Sequence, residues 1–280
     1  MQLFKTTSGN ILRAQGKSVK INDNWDTLVN QKDLHKHLAG LLNGPAIPES
    51  EADKLIASGV LPPIGTQEVW AAGVTYLRSR DARMEESKDS GGDFFYRKVY
   101  DADRPELFFK SVAHRVVGPG QKVRIRKDST WDVPEPELTL FINSEGSIQG
   151  YTAGNDMSSR SIEGENPLYL PQAKMYEGSC SLGPCLFVPA QPISPETNIR
   201  ITISRNSNNV FDATIQLNRM KRQLPELASW LFKEMKFVNG CYLMTGTGLV
   251  PGNDFTLQEG DEVQIMIDGI GTLANRVTKS

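Results

Sequence analysis

Beyond Glu68 the sequence alternates polar and apolar residues in short runs that glycines and prolines separate. Such alternation is typical of β-strands, and glycine and proline mark the turns between them. The pattern is clearest in six segments, which are residues 122–126, 135–142, 148–152, 199–204, 213–217 and 262–267. One helix interrupts the strands, because Leu224, Leu227 and Leu231 recur at helical spacing with Pro225 at the start. The sequence therefore predicts a mainly β region with few helices.

The first 65 residues follow a different pattern. Apolar runs near Leu3 and Ile11 predict strands, and residues 31–42 and 48–57 have the spacing of helices. Residues 61–65 contain consecutive prolines, which break both helices and strand pairing. We therefore expect an α+β, mainly β fold in two domains. The expected domains are a small N-terminal α+β domain at 1–65 and a larger domain at 66–280.

Composition excludes several classes of protein. With 39% apolar and 23% charged residues, the chain has the composition of a globular protein with a real core. A net charge of −2 and a pI near 6.0 give no basic surface for a phosphate backbone, so we expect no nucleic-acid partner. The longest apolar runs fall far short of the ~20 residues that cross a bilayer, and no secretory signal is visible. We therefore expect no membrane association and a cytoplasmic location.

Cysteines and glycine-rich runs often mark catalytic or binding sites, but both give weak signals in this sequence. The three cysteines have no disulfide or metal-binding spacing, and Cys180 lies in an apolar stretch where a thiol is usually a packing residue. A nucleophilic role for Cys180 is the alternative. Residues 246–252 form a glycine-rich run, but the Gly-Lys-Thr pattern of phosphate-binding loops is absent. A nucleotide site is therefore a weak interpretation.

Glu135 and Glu137 stand two residues apart in a predicted strand, so their side chains project from the same face. A predicted turn at 144–146 folds the chain back and brings Asp156 beside them. Three crowded carboxylates repel one another unless protons or a cation offset their charge, and oxygen ligands suit Mg²⁺ or Mn²⁺. The alternative is that both glutamates lie on the solvated face of an amphipathic strand. The small polar residues of 151–161 favour the metal site, because such loop residues often serve a site.

Several separated motifs mark the second part of the chain. They are the Glu-x-Glu-Leu strand at 135–138, the segment Gly-Tyr-Thr-x-x-Asn-Asp-x-Ser-x-Arg at 150–160, Gln172 and Lys174, Gly183-Pro184, and Gly-Ile-Gly-Thr-Leu-x-Asn-Arg-Val at 269–277. In this order they resemble the fumarylacetoacetate hydrolase family, from about residue 70 to the end. Within that family, residues 163–184 are most similar to the branch of 2-keto-3-deoxy-pentonate (2-dehydro-3-deoxy-D-arabinonate) dehydratases.

The resemblance implies a fold, a metal and an activity. The implied fold is a rolled mixed β-sandwich that follows a small N-terminal domain, and the implied assembly is a homodimer or homotetramer. Glu135, Glu137 and Asp156 match the metal ligands of the family, which implies Mg²⁺, with Mn²⁺ or Ca²⁺ as substitutes. The implied activity is the Mg²⁺-dependent dehydration of a small 2-keto acid substrate, 2-keto-3-deoxy-pentonate, to 2,5-dioxopentanoate in sugar-acid catabolism.

Lys174, Glu106 and Thr272 match positions that the family places at the pocket, and we expect them to be the catalytic residues. Lys174 would accept a proton or fix a substrate carboxylate, and the alternative is an ordinary surface lysine. A partly dehydrated Glu106 would have a raised pKa and exchange a proton with the substrate. Its alternative role is to cap a strand near Lys110. Thr272 stands beside glycines that allow a close approach of the backbone.

A second group of residues is expected to bind the substrate. Guanidinium forks match carboxylates and other polar groups orient hydroxyls, although structural hydrogen bonding is the alternative role. Arg78, with Arg80 and Arg83, would capture an anionic substrate from a helix, or would form a charged exposed face. Ser158 would read the sugar chain together with Ser179 and Thr272. The expected substrate-binding residues are Tyr76, Arg78, Tyr151, Arg160, Gln172 and Ser179.

One departure from the family concerns hydrolysis. In the carbon–carbon hydrolases of the family a His-Glu pair activates water, whereas residues 72–86 contain Tyr76 but no histidine. His35, His37 and His114 lie elsewhere, and we expect them to be surface or packing residues. Two alternatives keep the metal: hydrolysis of an acylpyruvate or a fumarylacetoacetate-type compound, and decarboxylation of oxaloacetate. A sugar-acid binding protein without activity is the third, but it would lack a metal carboxylate or the lysine.

Overall fold

The computed structural model describes residues 1–86 and 93–279, and within these ranges the chain is mainly β. The strands are β1 (Gln2–Thr6), β2 (Gly9–Ala14), β3 (Lys17–Ile21), β4 (Ala46–Ile47), β5 (Val60–Leu61), β6 (Glu68–Gly73), β7 (Glu106–Val112), β8 (Val116–Val117), β9 (Lys122–Arg124), β10 (Asp132–Val133), β11 (Pro136–Ile142), β12 (Ile148–Asp156), β13 (Ser158–Ser159), β14 (Cys180–Phe187), β15 (Asn198–Arg205), β16 (Asn208–Gln216), β17 (Cys241–Met244), β18 (Glu262–Ile267) and β19 (Gly271–Thr278). The α-helices are α1 (Trp25–Val29), α2 (Leu34–Leu41), α3 (Glu49–Gly59), α4 (Leu77–Glu86), α5 (Asp93–Asp101), α6 (Arg160–Glu165), α7 (Leu170–Lys174) and α8 (Leu224–Leu231). The predicted α+β, mainly β fold class is confirmed.

The strands of the described ranges form two main sheets. The larger sheet has twelve strands, and its path runs β4-β3-β2-β1-β14-β12-β11-β17-β6-β7, with β5 beside β1 and β8 beside β14. The second has five strands in the order β16-β15-β18-β19-β9, and β10 pairs separately with β13. The five-stranded sheet packs its apolar side chains against the larger sheet. The five-stranded sheet therefore covers one face of the central strands β11 and β12.

The N-terminal strands extend the larger sheet. β1 pairs antiparallel with β14, so that Gln2 lies opposite Phe187 and Leu3 opposite Leu186. Leu3 belongs to the same buried cluster as Leu186 and Leu182. The chain before residue 66 thus shares a sheet and a core with the chain after it, and the division into domains at this point stays a prediction.

Both faces of β11 are covered. On one face Leu140 packs in a buried cluster with Ile201 of the five-stranded sheet. On the other face Phe141 belongs to a buried cluster with Leu28 of α1 and Leu34 of α2. Glu137 lies in the same strand and is 2% exposed. The alternative of a solvated strand face is therefore wrong for Glu137.

The predicted elements are present with shifted ends. The helix predicted at 31–42 begins at Leu34, because the Asp33 side chain accepts a hydrogen bond from Lys36 N at 2.9 Å and caps it. The strand predicted at 148–152 continues to Asp156, because β12 pairs with β11 on one side and β14 on the other. In the described ranges, no helix has the length and apolar character that crossing a bilayer requires.

Gly154 of β12 tests the packing between neighbouring strands on one face of the larger sheet. A Cβ atom at this position would lie 2.3 Å from Thr139 Oγ1 and 2.9 Å from Met244 Cε. We expect Gly154→Ala to lower the free energy of unfolding by about 1–3 kcal/mol, because overpacking forces neighbouring groups to shift. The control is Gly40→Ala in α2, where nothing lies within 4 Å of the added atom and stability should stay equal or rise. Chemical denaturation measures both, and equal effects would contradict the packing argument.

Candidate active site

Glu135, Glu137 and Asp156 converge in the structure and are called the carboxylate trio below. One carboxylate oxygen from each lies within 4.8 Å of the others, and all three side chains are buried. The β11–β12 hairpin brings the three side chains together. Pro136 lies opposite Asn155, and the three acidic residues adjoin this pair, so they lie at the same end of the hairpin. Asp156 N also donates a hydrogen bond to the Glu135 carbonyl at 3.0 Å. The trio is thus built into the main-chain pairing.

The loop after β17 holds Glu137. Gly246 N donates a hydrogen bond to Glu137 Oε2 at 2.6 Å. Gly246 has a φ of 92°, and a Cβ atom there would lie 2.0 Å from Thr75 Oγ1, so the position requires glycine. From the sequence, this glycine-rich run was interpreted only as a weak candidate for a nucleotide loop. In the structure its first glycine contacts the carboxylate trio instead.

Lys174 lies against the trio. Its Nζ is 2.6 Å from Glu135 Oε2 and 3.3 Å from Asp156 Oδ2, and it donates a hydrogen bond to Ser158 Oγ at 2.5 Å. The side chain is fully buried, so the surface-lysine alternative is wrong. Burial lowers the pKa of Lys174, but the neighbouring carboxylates outweigh it and the pKa lies above the ordinary lysine value. With these neighbours Lys174 is held as an ammonium.

A fourth buried carboxylate, Glu163 of α6, lies behind Lys174. Glu163 Oε1 is 3.1 Å from an Arg83 guanidinium nitrogen and 3.4 Å from Lys174 Nζ. Arg160 Nε is 3.7 Å from Glu163 Oε2, and its guanidinium also contacts Glu135 Oε1 at 2.5 Å. Burial raises the pKa of Glu163, but the three cations outweigh it and lower that pKa to about 2. Glu163 was not among the residues predicted from the sequence, although its spacing of three residues from Arg160 was an available signal.

The trio itself is poorly compensated. Burial, and then the charges of Asp156 and Glu135, raise the pKa of Glu137 well above its ordinary value. Burial also raises the pKa of Glu135, although the Lys174 ammonium acts in the opposite direction. Raised pKa values mean that the ionised trio is unfavourable in these surroundings, so a bound cation would stabilise it. Three buried carboxylates are the donor set of a hard divalent ion.

Two predicted residues direct unpartnered atoms at the site. Tyr76 Oη and Glu106 Oε2 are buried, and neither has a hydrogen-bond partner among the described residues. Burial raises the pKa of the Tyr76 hydroxyl, and the charge of Glu137 raises it further. Burial also raises the pKa of Glu106, while the charges of Arg83 and then Lys174 lower it. Both side chains therefore lie within electrostatic reach of the trio and its lysine.

The structure does not bring Thr272 or Gln172 to the trio. Thr272 is exposed on β19, where it lies opposite Met266. Side chains alternate along a strand, and the next residue, Leu273, points into the core, so Thr272 points outward. Gln172 is exposed on α7, and its carbonyl accepts a hydrogen bond from Arg126 at 3.0 Å. The motif match placed both residues near the site without giving the direction of their side chains.

Tyr151 and Ser179 have other surroundings than those expected. Tyr151 lines a separate cleft of about 820 Å³, where its Oη accepts a hydrogen bond from Ile193 N at 3.4 Å. Ser179 Oγ donates to the Lys174 carbonyl at 2.8 Å. Ser179 therefore supports the main chain of the site, and Tyr151 lies away from it.

The arginines of α4 divide between the surface and the site. Arg78 and Arg80 pair with acids of their own helix, at 3.8 Å and 2.7 Å. Arg83 is buried and contacts Glu163. Of these three, Arg83 reaches the group of charges around Lys174.

Lys110 was considered in the sequence only as a strand neighbour of Glu106. Its Nζ lies 2.5 Å from Asp156 Oδ1, and its side chain is fully buried. Strand alternation did not mark Lys110, because it lies where the pairing of β6 with β7 is irregular. The thiol of Cys180 is buried as well, and burial raises its pKa to about 12, which disfavours the nucleophilic alternative.

The fold and site define a mainly β protein with a buried oxygen-ligand centre suited to a divalent metal ion. The chain belongs to the fumarylacetoacetate hydrolase family: the model of the fumarylacetoacetate (FAA) hydrolase C-terminal family matches residues 69–278. The family resemblance read from the sequence is confirmed.

Two named relatives and one solved structure show which members of the family this chain is similar to. A protein of Haloferax volcanii named probable 2-keto-3-deoxyxylonate dehydratase is 50% identical over 217 residues, which are 77% of this chain and 74% of the relative. The 2-dehydro-3-deoxy-D-arabinonate dehydratase of Saccharolobus solfataricus is 40% identical over 222 residues, 79% of this chain and 74% of the relative. The structure of a 2-keto-3-deoxy-D-arabinonate dehydratase complexed with magnesium and 2,5-dioxopentanoate has a TM-score of 0.85 and 32% identity, and covers 100% of this chain and 99% of its own. The predicted family fold is therefore confirmed.

The low pKa of Glu163 links the stability of the protein to pH. Because its pKa falls from 4.5 to about 2 on folding, its charge stabilises the fold above pH 4.5, and this contribution is lost as the pH falls towards 2. We expect Glu163→Gln to lower the free energy of unfolding at pH 7 by about 3 kcal/mol, because buried cations lose their partner. The gap between parent and variant should shrink below pH 4.5. Urea unfolding at several pH values measures it, with the exposed Glu165→Gln as control, and a gap independent of pH would contradict the assignment.

Proposed function

We propose that this chain is a Mg²⁺-dependent hydro-lyase that converts a 2-keto-3-deoxy-pentonate to 2,5-dioxopentanoate. The observation that carries the proposal is the buried carboxylate trio with Lys174 in contact and Glu106 within electrostatic reach. The names of the two relatives and the ligands of the similar solved structure support the substrate class.

Glu135, Glu137 and Asp156 would hold the metal ion. Their oxygens are close enough to share one cation, and the raised pKa values of both glutamates indicate that a positive charge is needed there. Mn²⁺ or Ca²⁺ would serve as substitutes, because both accept carboxylate oxygens. When bound, the metal would supply a Lewis acid that polarises the carbonyl group of a 2-keto acid.

Unpartnered atoms at the site suit a hydroxylated substrate. A buried polar atom without a hydrogen bond costs about 1–3 kcal/mol, so a ligand that satisfies it gains affinity. Tyr76 Oη would donate to a substrate oxygen, and Glu106 Oε2 would face a carbon-bound proton or a hydroxyl. Arg78, which is 41% exposed, would attract the anionic substrate from solvent.

Glu106 and Lys174 would divide the proton transfers. Glu106 would take a proton from C3 of the substrate, since a carboxylate with a raised pKa is a stronger base. Lys174, held as an ammonium among carboxylates, would give a proton to the C4 hydroxyl, which leaves as water. The new double bond then shifts as C5 loses a proton and C3 gains one. The resulting enol at C5 becomes an aldehyde, and the product is 2,5-dioxopentanoate.

The segment 72–86, which ends in α4, favours dehydration over carbon–carbon hydrolysis. The segment that carries a His-Glu pair in the hydrolases contributes Tyr76 and Arg83 to this site, and it contains no histidine. Neither a phenol with a raised pKa nor a guanidinium is a base for activating water. Elimination needs no attacking water, so it suits the residues present.

We also propose that the protein works in the cytoplasm as a homodimer or homotetramer. Leu168 and Val238 are each 83% exposed, and large apolar side chains of this kind are often covered in an assembly. Light scattering after size-exclusion chromatography would give the number of subunits.

The activity and the two proton-transfer roles are tested together. With Mg²⁺ and each stereoisomer of 2-keto-3-deoxy-pentonate, we expect mass spectrometry to detect 2,5-dioxopentanoate. In deuterated water we expect Lys174→Met to retain exchange at C3 but to lose dehydration by about 10²–10⁴-fold, because only the leaving group lacks its proton. Glu106→Gln should lose both exchange and dehydration.

The exposed Lys127→Met is the matched control and should behave as the parent. No product from any stereoisomer, with metal bound, would defeat the proposed function. Turnover of an acylpyruvate in its place would favour the hydrolase alternative. If Glu106→Gln kept the exchange at C3, the assignment of the base would be wrong while the activity stood.

A further inference from the structure

Lys110 is the second buried lysine at the trio, and its contacts differ from those of Lys174. Its Nζ lies 2.5 Å from Asp156 Oδ1, and it donates to the Lys174 carbonyl at 2.5 Å and to the Met157 carbonyl at 3.1 Å. An ammonium group has three protons, and three oxygens surround this one. Two of its protons are donated to the two carbonyls, and its contact with Asp156 Oδ1 is an ion pair.

The position of Lys110 in its strand explains how it reaches the hairpin. The register between β6 and β7 shifts at this residue, because Val69 lies opposite Ser111 while Trp70 lies opposite Phe109. Lys110 is the extra residue of a β-bulge, and a bulge changes the direction of a side chain. The bulge in β7 thus supplies an ammonium to the end of β12.

Lys110 joins three segments of the site: strand β7, the residues that end β12, and the end of α7. Asp156 Oδ1 faces Lys110 while Oδ2 faces Lys174, so the two lysines contact different oxygens of one metal-binding carboxylate. The last carbonyls of a helix have no partner within the helix. Here the Lys174 carbonyl accepts from both Lys110 and Ser179, which fixes the main chain from which the Lys174 side chain extends.

We propose that Lys110 is a positioning residue that fixes Asp156 as a metal ligand and the main chain of Lys174. It acts through these two residues and does not touch the substrate. Its part in catalysis rests on the proposed function, whereas its part in metal binding does not. Groups that orient metal ligands typically change metal affinity 10- to 100-fold when they are removed. If Lys110 only offset negative charge, its removal would strengthen metal binding instead.

The test is Lys110→Met, which keeps the length of the side chain and removes its charge and donors. Mn²⁺ is the probe, because electron paramagnetic resonance counts the free ion in a titration without substrate. We expect the affinity for Mn²⁺ to fall by about 10- to 100-fold. At saturating Mn²⁺ we expect kcat for the dehydration to fall at least ~10-fold with KM within about twofold, because Lys174 loses its orientation and no substrate contact is removed.

The matched control is Lys5→Met, since Lys5 is a partly buried lysine of β1 that donates to the Ile64 carbonyl. It should leave Mn²⁺ affinity and kcat unchanged. Circular dichroism and thermal unfolding establish whether each variant is folded. If Lys110→Met does not fold, Lys110→Gln, which retains two donors, is measured in the same way and should show a smaller loss.

Unchanged or tighter Mn²⁺ binding in a folded variant would overturn the proposal, and so would failure of both variants to fold, since Lys110 would then be structural. A parent that binds Mn²⁺ but dehydrates none of the keto acids would defeat the proposed function. That outcome leaves the titration of Lys110→Met as a valid test of the positioning role.

Discussion

Mutual repulsion of carboxylates in a buried place is the constraint on which this site depends. Two like charges about 4 Å apart at an effective dielectric constant near 20 repel by about 4 kcal/mol, before the cost of burial is added. Buried lysine and arginine side chains offset this repulsion, and each of them contacts particular carboxylate oxygens. Arg160 and Lys174 contact Glu135, and Lys110 and Lys174 contact Asp156. The charged groups therefore fix one another in place.

The nearby cations offset the negative charges of the site unevenly. Glu137 accepts a hydrogen bond from the neutral main-chain amide of Gly246, and its pKa is raised well above the ordinary value. Glu163 stands among three cations and has its pKa lowered to about 2. Positive charge thus collects on the Glu163 side of Lys174, while the Glu137 side is left with excess negative charge. A divalent ion bound at the trio would offset this excess negative charge.

Part of this site was readable from the sequence because it follows local rules. Period-two spacing and a turn predicted that Glu135, Glu137 and Asp156 would meet, and the family motifs added Lys174 and Glu106. The same motifs misplaced Thr272, since a match in sequence does not say which alternate residue of a strand points inward. The glycine-rich run that contains Gly246 was compared only with the pattern of phosphate-binding loops.

The rest depends on burial and on contacts between distant segments, which a local spacing can suggest but does not show. Lys110 and Glu163 look like ordinary charged residues, which are exposed in most proteins, and only the folded chain shows them to be buried. The ends of the strands shifted where tertiary pairing extended them, as in β12. The pairing of β1 with β14 joined the N-terminal strands to the main sheet, and no local pattern in the sequence indicates such a distant partner.

The hydrogen bond from Gly246 to Glu137 joins residues 109 positions apart. During synthesis on the ribosome, the hairpin with all three ligands is therefore complete well before the loop that fixes Glu137 has been made. Contacts of such high contact order form slowly, because the entropy of closing a long loop must be overcome first. The hydrogen bond that fixes Glu137 therefore forms only after all three ligands of the hairpin have been synthesised.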